Sequence, residues 1–109
     1  LLVGLKPISE EKNKMGMRFI GSFKKTCSFE DWLKLVDSLK PQMDKHGLKL
    51  IFATESEDGT SIYDVGEAAT MGGVEAFLSD PKVRQMRIDA GVDIDSQEVI
   101  SAVGKFNVF

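Results

Sequence analysis

The chain holds little of what usually marks chemistry at first sight. Its 109 residues include one cysteine, one histidine, one tryptophan and one tyrosine. A lone cysteine excludes an intrachain disulfide, and a single histidine beside it supplies no zinc-binding cluster. A reduced thiol fits a cytoplasmic setting. An excess of one charge is missing too. The 17 acidic and 14 basic residues give a net charge of −3 and are mixed along the chain, which argues against nucleic acid as a partner, since that needs a basic stripe. Long apolar runs are absent. None approaches the roughly 20 residues that span a bilayer, and the opening LLVGL is too short for a signal-peptide core. No membrane partner is expected. No repeat recurs at solenoid periods.

What is present is a core's worth of apolar residues, 42% of the chain, enough for one domain. The most informative stretch is 48–66, LKLIFATESEDGTSIYDVG. Asp58-Gly59 tolerates the positive φ of a tight hairpin turn, so the stretch reads as two strands with Glu57 and Thr60 flanking the turn. One face then carries Leu50, Phe52, Thr54, Tyr63 and Val65. The other carries Ile51, Ala53, Glu55, Ile62, Asp64 and Gly66. Both faces hold apolar residues and both need cover, yet the chain supplies helices for only one.

The other elements follow from periodicity. Residues 17–23 alternate as a strand, with Phe19 and Phe23 on one face and Arg18, Ile20 and Ser22 on the other. Ser28, with Asp31 three residues on, opens a helix in near capping-box fashion. Trp32, Leu35, Val36, Leu39 and Met43 form its core stripe. Pro41 predicts a kink or break near Lys40, and Gly47 a stop. Asp80-Pro81, a good N-cap followed by a good first helical residue, divides the second helical region into 70–79 and 81–90. Gly91 ends it. VDIDS is expected to be a loop, 97–103 the last strand and 104–109 a tail or a strand extension. Residues 1–16 form an N-terminal arm and 17–109 a single α+β domain. The order strand, helix, strand, strand, helix, strand is the ferredoxin-like βαββαβ arrangement, an antiparallel sheet with helices on one face.

With the FLSDP segment at 77–81, this order and size resemble the dimeric α/β-barrel superfamily and its small bacterial proteins of uncharacterised function. The resemblance covers roughly 17–103 and rests on pattern rather than a diagnostic motif. It implies a homodimer in which two sheets meet across a two-fold axis and enclose a cavity between their open faces. Some members are cofactor-independent monooxygenases and others degrade haem. The haem-degrading relatives carry a histidine in the second helical region. VEAFLSDPKVRQMRIDAG has none, so no cofactor is expected.

Several residues are candidates for chemistry. Arg18, Glu55 and Asp64 are expected on the open face as ligand-binding residues, with Asp64 the candidate catalytic group. A desolvated carboxylate has a raised pKa and can move a proton, and a nearby arginine would hold it ionised or bind an anion. His46, at a helix end, fits an interaction with free carbonyls and the helix dipole better than a role as base or haem ligand. Tyr63 and Trp32 read as core residues. Cys27 has no basic partner to activate it. Arg84 and Arg87, three apart on one helix, could clamp a carboxylate or phosphate, but with Lys82 they read better as a solvated face. Gly72-Gly73 lacks the pattern of a dinucleotide loop.

Three functions remain open on these grounds. One is a homodimer binding a small-molecule ligand, with no metal. Another is a cofactor-independent monooxygenase or isomerase acting on a small apolar substrate. The last is a structural or interaction module without a ligand.

Overall fold

The computed structural model describes residues 16–109. The N-terminal arm, but for Gly16, lies outside the described residues. The elements run β1 (Met17–Lys25), α1 (Phe29–Lys45), β2 (Leu48–Glu55), β3 (Ser61–Ala68), α2 (Met71–Ser79), α3 (Pro81–Ala90) and β4 (Val92–Val103). The sheet order is β2-β3-β1-β4 and every neighbouring pair is antiparallel. This is the ferredoxin-like α+β fold, in which β3 inserts between the two strands that α1 connects.

Local signals account for most boundaries. The Ser28 hydroxyl accepts from the Asp31 backbone N–H at 3.0 Å, removing one of the orphan donors of a helix start. Asp80 caps α3 through its own carboxylate on the Lys82 N–H at 2.9 Å, with Pro81 at the first helical position. Gly91 ends α3 at φ 99°, a left-handed conformation open to glycine at little cost. Helix α1 runs on through Pro41 to Lys45. The expected break there does not occur, because Trp32, Leu35, Leu39 and Met43 stay buried along one continuous stripe. Packing of an amphipathic face outweighs one lost backbone bond.

The core lies between the sheet and the helices. Phe19 and Phe23 of β1, Ile62 of β3 and Val92 of β4 meet Trp32, Val74, Phe77 and Val83 from the helices. Each such side chain contributes on the order of 2 kcal/mol by leaving water.

The hairpin departs from expectation in three ways. Its connection is longer than a two-residue turn, spanning 56–60, with the Ser56 N–H donating to the Ser61 carbonyl at 2.9 Å. Asp58 organises it, its Oδ1 accepting from the Ser56 and Thr60 hydroxyls and the Thr60 N–H. These bonds hold the Asp58 carboxyl down at about 2. Next, the cross-strand partners are as expected, Ala53 with Asp64 and Glu55 with Ile62, but the faces are exchanged. β1 decides this. Phe19, Gly21 and Phe23 point under the helices, and their partners Gly66, Asp64 and Ile62 point there with them. Phe52 and Tyr63 are therefore exposed on the open face, and Tyr63 is not the core residue it was expected to be. Finally, Ile51 is a bulge between Leu50, opposite Gly66, and Phe52, opposite Val65. An extra residue on one strand reverses the alternation beyond it, so Leu50 keeps to the core side while Phe52 turns away.

The last strand also starts earlier than expected. VDIDS belongs to β4, pairing Val92 with Lys25 and Asp93 with Lys24 before an irregularity, after which Glu98 pairs with Ser22. The chain between them bulges around Ser96, whose hydroxyl accepts the Lys24 N–H at 2.7 Å. Polar residues hid this strand because they serve the bulge.

Candidate functional site

The three residues expected to share a site do not come together. Arg18 is on the open face, in an ion pair of 3.7 Å with Glu67 and with its guanidinium 4.5 Å from the Phe106 ring centre. Glu55 is on the helix side at the hairpin end, bound to Lys25 at 2.8 Å. Asp64 lies in the middle of the helix side, 8% exposed.

Asp64 meets other partners there. The sheet places it opposite Gly21, and this glycine is a packing requirement: a β-carbon at 21 would stand 2.6 Å from Asp64 Oδ1. The carboxylate thus lies across β1 in the space that a side chain would fill. Arg87 of α3, 5% exposed, projects down from the helix layer with its guanidinium 5.0 Å from the Phe23 ring centre. It donates through Nη2 to Gln97 Oε1. Gln97, on β4, is held by its amide nitrogen, which donates to the Ser22 and Glu98 carbonyls at 3.2 and 3.0 Å. With the nitrogen committed, only the oxygen is left to face Arg87. Thus β1, β3, β4 and α3 each contribute to one polar cluster.

The cluster lines a cavity of about 70 Å³ between sheet and helices, together with Trp32, Leu35, Leu39 and Phe77 among others. Burial there pushes the Asp64 carboxyl up to about 6, although the Arg87 charge and the Gly21 backbone N–H pull it down. The guanidinium of Arg87 is itself lowered to about 10, chiefly by burial, with Asp64 opposing that shift. No hydrogen bond or ion pair joins the Asp64 carboxylate to another side chain among the described residues. A desolvated carboxylate of this kind can accept a hydrogen bond or a proton at neutral pH.

Gln97 was not a candidate on sequence grounds, and Arg87 was placed on a solvated face. A signal existed for Arg87: it follows the fully buried Val83 by four residues and so lies on the same helix face. It does not belong to a solvated face with Arg84. Gln97 carried no signal, since its role depends on the β4 bulge. His46 serves as a link between helices: its Nε2 is 3.1 Å from Asp80 Oδ2, an interaction that leads in holding the Asp80 carboxyl below its usual range. It joins the end of α1 to the cap of α3.

Among the described residues no group of three or more His, Cys, Asp or Glu side chains gathers as a metal site, and no helix is long and apolar enough to cross a membrane.

Known structures share this architecture. No family model matches the chain, and no curated protein does. A protein of unknown function from Rhodopseudomonas palustris superposes with a TM-score of 0.55 at 10% identity, over 92% of this chain and 94% of that one. A second structure of it, methylated, gives 0.53 at 11% identity over 94% and 92%. A Chloroflexus aurantiacus protein provisionally assigned as an antibiotic biosynthesis monooxygenase gives 0.46 at 17% identity over 84% and 97%. At 10% and 11% identity the likeness to the Rhodopseudomonas palustris structures is one of fold alone.

Proposed function

We propose that this protein is a cytoplasmic homodimer that binds a small, mostly apolar molecule in the cavity between its sheet and its helices. The observation carrying the reading is Asp64: a carboxylate 8% exposed, on the wall of an apolar cavity, without a side-chain partner. Arg87 and the Gly21 backbone N–H offset part of the cost of burying this charge, and the bonding capacity left at the carboxylate is open to what the cavity holds. The ligand space is thus within each subunit, a different place from the intersheet space that the resemblance implied.

The dimer rests on the open face. Ile20, Phe52, Tyr63 and Ile100 are exposed there, and the pairs Ile20–Val65 and Ile20–Ile100 put them beside one another in the middle of the sheet. A second copy covers such a patch by a two-fold axis. Phe52→Lys is expected to weaken association at least about tenfold by placing a charge in the contact, measured by light scattering across a concentration series.

Native mass spectrometry of freshly purified protein tests both parts together. A dimer carrying additional bound mass is expected. A monomer at micromolar concentration would remove the assembly, and a structural module without a ligand would give a dimer of bare chains.

A second reading, a cofactor-independent isomerase or monooxygenase, is favoured by the Asp64 carboxyl at about 6, where a general base is half ionised just below neutral pH. Its expected signature is turnover that rises with pH through that value and is lost in Asp64→Asn.

A further inference from the structure

We propose that the ligand of this cavity is a small uncharged hydroxyl compound, one ring or a short chain in size, whose single oxygen sits between Asp64 and Arg87. The proposal rests on the ligand-binding reading above and adds the chemical class.

Charge balance comes first. Asp64 and Arg87 act on one another electrostatically, and together they carry no net charge once the carboxyl is ionised. An anionic or cationic ligand would add a further charge among mostly apolar walls, where Lys49 and Gln97 are the other polar lining residues, and this costs several kcal/mol in general. A neutral ligand avoids that.

Hydrogen-bond accounting comes next. The ionised carboxylate only accepts, and the guanidinium only donates. Gln97 takes the bond from one guanidinium nitrogen, and Gln97 is itself held in place by two backbone carbonyls. The cluster therefore offers one fixed acceptor and further donors. A hydroxyl answers both from one atom, giving its proton to Asp64 and accepting from Arg87. An ether or ketone has no proton to give, and an ammonium has no lone pair to offer.

Size and polarity complete the description. About 70 Å³ is well below the several hundred Å³ of pockets for drug-sized ligands. Trp32, Leu35 and Phe77 on the remaining walls favour an apolar body, and Gly21 leaves the carboxylate room to reach the ligand from the sheet side.

The test uses four probes of similar shape: phenol, toluene, benzoate and benzylamine. Trp32, the only tryptophan, lines the cavity and reports occupancy by saturable quenching when excited at its red edge. Phenol is expected to bind at least about tenfold more tightly than toluene, the usual gain from a hydrogen bond to a charged group, and more tightly than either charged probe. Asp64→Leu should erase the preference of phenol over toluene, and Asp64→Asn, the gentler change, should reduce it. Equal binding of phenol and toluene would overturn the hydroxyl class and leave the ligand-binding reading standing. Tightest binding of benzoate or of benzylamine would make this an anion or a cation site and overturn the proposal. Silence from all four probes would remove the proposal and the cavity reading with it.

Discussion

The strands themselves carry two buried charges on the helix side of the sheet, and these are treated in opposite ways. Lys25 ends β1, 4% exposed, and its ammonium is saturated: it donates to the Cys27 carbonyl at 2.7 Å, the Gly59 carbonyl at 2.8 Å and Glu55 at 2.8 Å. An ammonium has three donors, and all are used. Asp64, four pairs further along the sheet, has no side-chain bond to its carboxylate among the described residues. The first charge ties the hairpin turn to the β1–α1 junction and has nothing left to offer. The second keeps its capacity and faces a cavity. Burial alone does not mark a site; burial with unused bonding capacity does.

The largest expected effect breaks the saturated centre. Lys25→Met leaves Glu55 and two carbonyls without their donor, and removing one partner of a buried pair costs about 3 kcal/mol or more. Urea denaturation should show the loss, with hydrogen exchange increased at the 56–60 turn.

The next effect sharpens the contrast through pH. The folded-state value for Asp64, about 6, lies above its ordinary value of 3.8, so the folded chain binds the more protons between them. Stability from this group is complete below the unfolded value and falls as pH rises through about 6. The span corresponds to about 3 kcal/mol. Asp64→Asn should flatten that part of the stability–pH curve in urea titrations taken between these values.

The smallest expected effect concerns space. Gly21→Ala pushes a β-carbon toward Asp64 Oδ1, and overpacking of this kind costs about 1–3 kcal/mol. The variant should fold, and its Asp64 titration, followed by carboxyl-carbon NMR, should move as the carboxylate is displaced.

The contrast also explains what could be read in advance. Helix ends were legible, because Ser28, Asp80, Pro81 and Gly91 act within a few residues of their own positions. Strand pairing in the hairpin was legible from Asp58-Gly59 and from alternation. The facing of that hairpin was not. It depends on which side of β1 the helices cover and on pairing between β1 and β3, residues some forty positions apart such as Gly21 and Asp64. Asp64 was singled out as a buried carboxylate, and it is one, on the opposite side from that expected. Its neighbours Arg87 and Gln97 come from a third and a fourth element, and no local pattern links them to it.

The bulge at Ile51 acts on the sheet as a single inserted letter acts on a reading frame. Upstream of it Leu50 belongs to the core phase; downstream Phe52 and Thr54 have passed to the other phase, and Ala53 and Glu55 take over the core. A continuous apolar run, LIFA, can therefore serve both sides of one strand. Deleting Ile51 would restore strict alternation and turn one half of β2 inside out, carrying Glu55 away from Lys25 or Leu50 out of the core. One residue of apparent surplus thus keeps the interior of this protein and its outward apolar face in register with each other.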